Sequence, residues 1–202
     1  LSAVKSAIDL LASKGEIDRT RVGMGGLSFG TEITLWTVMK SDLLAAASVT
    51  SVGMSRNYYL FSSMRGKAFS KELQEFWQLR APDETPERWR LLSPAANLDT
   101  IKAPILMQMP EQEYVVALDY AIPLIQDHRA DLYVFPNEPH QKFQPRHKLA
   151  AYERNVDWFR FWLQGNEDPD PAKRTQYAHW QEMKKALSAQ PAHGASKAGR
   201  RN

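Results

Sequence analysis

Ser28, Glu111, Glu113 and His140 are the residues whose types and order could do chemistry together. Ser28 stands in Gly26-Leu27-Ser28-Phe29-Gly30, the two glutamates in the run PEQEY, and His140 in FPNEPHQKF. A serine hydroxyl is a poor nucleophile until an imidazole takes its proton. That imidazole must be fixed in one tautomer by a carboxylate, which also stabilises the imidazolium. The spacings, 85 residues from Ser28 to Glu113 and 27 from Glu113 to His140, leave room for separate structural elements between the three. By this reading either glutamate can be the acid.

Such residues act only if strand ends bring them together. An apolar run, Val22 to Leu27, precedes the serine, and a segment with Ile33, Leu35, Trp36, Val38 and Met39 follows it. G-x-S-x-G fixes only three positions, so chance matches are common, and strand–turn–helix is the context that gives it meaning. In that context the turn puts the serine into a strained backbone, neighbouring positions must lack bulk, and the helix N-terminus aims N–H groups at the reacting oxygen. The competing reading, a dinucleotide loop starting at Gly23-Met24-Gly25, fails because the last glycine of G-x-G-x-x-G falls on Ser28.

Further strands are expected at Leu43–Val49, Ile105–Met109 and Asp131–Phe135. Helices are expected over 1–14 with Gly15 as C-cap, after the PEQEY turn to Arg129 with a kink or restart at Pro123, and from Lys148 to Leu163. In the last of these, Leu149, Tyr152, Val156, Phe159 and Leu163 form one apolar face, widened by Trp158 and Trp162, and Gly165 ends it. Residues 51–100, with Tyr58, Tyr59, Phe61, Trp77 and Trp89 among many charges, read as an insertion over the sheet with an aromatic mini-core. Helix starts are expected there at Ser70 and at Thr85-Pro86-Glu87. Alternating strands and helices with apolar strands predict an α/β fold, a doubly wound parallel sheet whose chemistry sits at the C-terminal strand ends. The other histidines, His128, His147, His179 and His193, do not directly follow a strand, and no metal-ligand spacing is present.

Composition narrows the classes. The chain is 43% hydrophobic and 24% charged, with no cysteine, so disulfide and thiol chemistry are excluded and no cofactor is expected. No apolar run reaches the ~18 residues of a membrane helix. Net charge is +3, yet residues 183–202 alone carry five basic side chains and no acid, leaving the rest at −2. A nucleic-acid partner would therefore rest on the tail alone. Residues 166–202 read as a polar, basic, disordered tail, and the whole as soluble, with a cytoplasmic location favoured.

The serine–acid–histidine order is that of the α/β-hydrolases. AIDLLASKGEIDRTRVGMGGLSFGTEITLW resembles the helix–strand–elbow of the prolyl-oligopeptidase-type serine peptidases, SPAANLDTIKAPILMQ their approach to the acid-bearing strand, and FPNEPHQKF their histidine loop. The likeness covers residues 1–165. Glutamate in PEQEY and the run PHQKFQPRHKLAAYERNVDWFRFWLQGNEDPDPAKR resemble the lasso peptide isopeptidases within that family. The resemblance implies Ser28 as nucleophile, His140 as general base, Glu113 as acid with Glu111 as the alternative, and the Phe29 N–H as oxyanion donor. Thr31 stands where a second glycine is usual, and Phe29 where tyrosine is common. It also implies a peptide substrate, in the isopeptidase branch a threaded lasso peptide, and that the N-terminal propeller, the first half of the hydrolase sheet and a second oxyanion donor lie outside this chain. The four strands would then be the C-terminal half of the hydrolase sheet. By itself the chain is expected to be insoluble or molten, and hydrolytically inactive. A broader oligopeptidase, an esterase and an inactive truncated remnant are the other readings.

Overall fold

The computed structural model describes residues 1–189 and divides into two units, Leu1–Asn166 and Glu167–Asn202. In the first unit, α1 (Ser2–Ser13) ends as expected, Gly15 taking a φ of 72° just beyond the C-cap. Strands β1 (Gly23–Gly26), β2 (Ala46–Val49), β3 (Ile105–Pro110) and β4 (Ala130–Phe135) form one parallel sheet in that order. Gly23 pairs with Ala46, Ala47 with Ile105, and Ile105 with Ala130. β1 and β2 are shorter than the apolar runs that announce them.

Helices cover both faces of the sheet. Ile105, Met107 and Met109 share a core with Leu35 and Val38 of α2 (Phe29–Lys40) and with Ala117, Tyr120 and Leu124 of α6 (Tyr114–Gln126). Gln108, of opposite parity and so on the other face, is buried and donates its amide N–H to the Ala151 carbonyl of α7 (Pro145–Gln164) at 3.0 Å. Continuous burial of β3 is what a central parallel strand requires. The threonines buried along α2 satisfy their hydroxyls on carbonyls, Thr34 on Gly30 and Thr37 on Ile33, both at 2.8 Å. α6 does not restart at Pro123, which falls in its last turn, where a missing N–H costs one bond only.

The α7 face departs from expectation. Leu149, Tyr152 and Val156 are 59%, 68% and 50% exposed, whereas Ala151, Trp158 and Phe161 are buried. α7 carries two apolar stripes, and periodicity alone does not say which one meets the sheet. Phe159 lies over β1, where a Cβ on Gly23 would come within 2.6 Å of its ring.

Residues 51–100 hold three short α-helices, α3 (Arg56–Ser62), α4 (Lys67–Glu72) and α5 (Pro86–Leu92), together with a π-helical turn over Leu73–Trp77. Their mini-core joins Phe69, Leu73, Leu79 and Trp89, with Tyr58, Tyr59 and Trp77 packed against it. Thr85 stands at the N-cap position of α5 with Pro86 in its first turn, as expected, though its hydroxyl accepts the Arg80 N–H and makes no capping bond; Ser70 lies inside α4, whose N-cap is Gly66. The serine that caps a helix here is Ser55, which accepts the Tyr58 N–H at 3.1 Å.

In the second unit the expected disorder is overturned for residues 174–189, which form α8 (Arg174–Ala189). Tyr177, Trp180 and Met183 recur every three residues along it, a helical spacing carried by few apolar residues, and the Tyr177 and Trp180 rings meet edge to face at 5.3 Å. The tail beyond 189 lies outside the described residues. Among the described residues no helix is long and apolar enough to cross a membrane.

Candidate active site

The turn between β1 and α2 holds Ser28 at φ 57° and ψ −126°, a backbone that side-chain-bearing residues rarely adopt. One glycine makes this turn possible. A Cβ on Gly26 would sit 2.1 Å from the Gly30 carbonyl carbon, whereas a Cβ on Gly30 would meet nothing within 4 Å. The requirement for a residue without a side chain therefore falls on Gly26, two positions before the serine, and not on Gly30, two positions after it. Thr31 is buried and its hydroxyl donates to the Gly26 carbonyl at 2.9 Å, tying the first turn of α2 back to the strand end. The N–H groups of Gly30 and Thr31 are taken by the Leu27 and Ser28 carbonyls, both at 2.9 Å. The Phe29 N–H has no such partner among the described residues, as an oxyanion donor must.

Glu113 and His140 arrive from beyond the ends of β3 and β4. His140 Nδ1 lies 2.5 Å from Glu113 Oε1, and the Ser51 hydroxyl donates to the other carboxylate oxygen at 3.0 Å. With Nδ1 turned to the carboxylate, Nε2 is the nitrogen left for a nucleophile. Ser28, Glu113 and His140 line one cavity of about 480 Å³, together with Glu32, Tyr58, Phe61 and Arg65. The two glutamates are separated by what they hold. Glu111 accepts the Asn137 N–H at 2.6 Å, so it grips the histidine loop and not the imidazole.

The segment after β2 that helps line this cavity is fastened to Glu113 and α6. Beyond the Ser51–Glu113 bond, Gly53 N–H donates to the Tyr120 hydroxyl at 3.0 Å, Ser55 Oγ to the Val116 carbonyl at 3.4 Å, and Asn57 N–H to Asp119 at 3.4 Å. Burial pushes the Tyr120 hydroxyl above, and the Asp119 carboxyl up from, their ordinary ranges. Ser51 was not among the residues singled out from the sequence. Its place just after β2, at the C-terminal edge of a parallel sheet, is the signal that could have found it. Tyr58 of the mini-core also lines the cavity, as does Phe61, which was expected in that core but lies outside it and half exposed, so that segment serves the site as well as its own packing.

Glu32, one turn into α2, lines this cavity and also a mostly apolar one of about 210 Å³ bounded by Ile33, Trp36 and Trp77. Burial pushes its carboxyl up to about 8. No cluster of metal-ligating side chains occurs among the described residues.

A parallel α/β sheet with a strained serine at one strand end and a carboxylate–imidazole pair across the same cavity is the arrangement of an α/β-hydrolase. Residues 3–166 match the prolyl oligopeptidase family, and the chain belongs to it. It is 34% identical over 193 residues to the lasso peptide isopeptidase AtxE2 of Asticcacaulis excentricus, covering 95% of this chain and 27% of that protein. The structure of that isopeptidase, as a variant with Astexin3-dC4 bound, superposes with a TM-score of 0.80 over 91% of this chain and 28% of the other. The acylaminoacyl peptidase of Pyrococcus horikoshii shares the fold at 21% identity and a TM-score of 0.66, over 86% of this chain and 29% of its own. The chain thus spans little more than a quarter of the length of the relatives it matches.

Proposed function

We propose that this chain carries the catalytic triad of a serine peptidase that hydrolyses a peptide or isopeptide bond through an acyl-enzyme, acting on a lasso peptide as its isopeptidase relative does by name. The observation that supports it most is the 2.5 Å contact of His140 Nδ1 with Glu113 Oε1, in the cavity that Ser28 also lines. Ser28 Oγ attacks the carbonyl carbon while Nε2 of His140 takes its proton. The oxyanion is met by the Phe29 N–H. The imidazolium, held by Glu113, gives the proton to the departing amine, and water attacking with the same base releases the acid and restores the serine. An isopeptide carbonyl is chemically an amide, so the same steps open a side-chain-to-amine ring link.

A fluorophosphonate probe tests the core of this reading. In the intact protein it should label Ser28, and labelling should vanish in Ser28→Ala. Incubation with a threaded lasso peptide should add one water and give a linear product by mass spectrometry. Turnover of linear peptides or esters alone would move the assignment to a broader peptidase or esterase. No labelling of a folded protein would make it a non-catalytic remnant.

A further inference from the structure

A second carboxylate–imidazole pair stands beside the first. Glu138, two residues before His140, is fully buried. A carboxylate removed from water must be met by donors, and Glu138 collects three. Phe143 N–H donates to one oxygen at 2.7 Å, while Gln144 N–H at 3.2 Å and His147 Nδ1 at 2.7 Å share the other. Burial alone would raise its pKa, but these bonds more than offset that and hold the group below the usual carboxylate range. The backbone of Glu138 reaches the other way, its carbonyl accepting the Gln112 N–H of the acid-bearing loop at 3.4 Å. The turn is pinned further by Lys142, whose ammonium donates to the Gln108 carbonyl at 2.7 Å.

We propose that Glu138, locked by His147, is the positioning residue of the catalytic imidazole: it draws both ends of the turn bearing His140 onto the first turn of α7 and ties that turn to the loop of Glu113. This rests on His140 being the base. The side chain that touches the imidazole is Glu113; Glu138 acts only through the backbone on either side of it. The His147 ring lies 5.4 Å from that of Phe135 and is itself nearly buried, so the clamp is packed as well as bonded. Glutamine at 138 would turn an amide N–H toward a backbone N–H, because all three partners are donors. Phenylalanine at 147 would keep a ring against Phe135 and lose the donor. Asparagine at 147 would return an N–H near the place of Nδ1.

The test is the rate at which a fluorophosphonate probe labels Ser28 in the intact protein between pH 5 and 9, with the unfolding temperature measured alongside. Glu138→Gln and His147→Phe should label about 10- to 100-fold more slowly, the loss expected when a catalytic group is misplaced by about an ångström. His147→Asn should stay within about threefold of wild type. Should Glu138→Gln not fold, the two His147 variants decide. An unchanged rate in folded Glu138→Gln or His147→Phe, with only a lower unfolding temperature, would overturn the proposal, as would equal losses in His147→Phe and His147→Asn. Failure of wild-type Ser28 to label at all would instead bring down the triad on which it rests.

Discussion

Exchanging Glu113 for glutamine keeps the size of the side chain and removes its charge. The Ser51 hydroxyl can donate or accept, so either orientation of the new amide can be satisfied on that side. With its oxygen toward His140 the productive tautomer survives, but the imidazolium formed during attack has lost its counter-charge. At 2.5 Å that charge is worth roughly 2 kcal/mol in water and roughly 7 kcal/mol at an effective dielectric near 20. The His140 side chain is 42% exposed and that of Glu113 19%, which places the unliganded pair between these limits. Bound substrate would cover the imidazole and move it toward the upper one. A fall of about 10³–10⁴ in kcat/KM follows, comparable with the ~10⁴ that an amide in place of the acid costs other serine triads. Glutamine at 111 should behave differently. It keeps a carbonyl oxygen for the Asn137 N–H and loses only the charge assistance, about 1 kcal/mol or less than tenfold. Probe-labelling rates and kcat/KM on one peptide substrate, measured for both variants, compare them directly. The reverse order would make Glu111 the acid, and equal losses would mean that both glutamates serve only loop geometry.

Gly26→Ala should distort the elbow, because its new Cβ would lie 2.1 Å from Gly30, and Ser28 labelling should fall at least about 100-fold; Gly30→Ala, with open space around it, should leave the unfolding temperature unchanged or raised. Glu32 keeps its proton up to about pH 8 when folded and releases it near 4.5 when unfolded, so its contribution is full below pH 4.5 and lost as pH rises through 8, at most about 5 kcal/mol. In urea unfolding Glu32→Gln should match wild type at pH 5 and exceed it by a few kcal/mol at pH 9, and parallel curves would contradict the buried carboxyl. Phe69→Ala should cost about 3–5 kcal/mol, melting the segment that carries Tyr58 and Phe61 ahead of the sheet, which proteolysis followed by mass spectrometry would detect.

The strands and the elbow were legible because their signals are local: short apolar runs, a glycine two before the serine, and proline or glycine at helix ends. The order of serine, glutamate and histidine was legible for the same reason, each lying just past a strand. What was hidden depends on three-dimensional partners. PEQEY shows two glutamates two residues apart, and only the fold turns one to His140 and the other to Asn137. His147 was set aside because it does not directly follow a strand, and its use emerges only with Glu138 buried against it. The orientation of α7 was misread because Leu149, Tyr152 and Val156 are as apolar as the stripe that is buried. Helix α8 was missed because its lysines and glutamines masked three well-spaced apolar residues.

The four bonds from residues 51–57 to residues 113–120 have a consequence for anyone moving parts between relatives. The segment that shapes the cavity wall and the helix that begins at the acid are one mechanical body. A chimera that imports a foreign 51–62 to change which substrates fit would also impose foreign partners on Ser51, Gly53, Ser55 and Asn57, and so drag on Glu113. Transplanted with residues 113–120 from the same donor, the wall would arrive with its own anchor and leave the imidazole where it was.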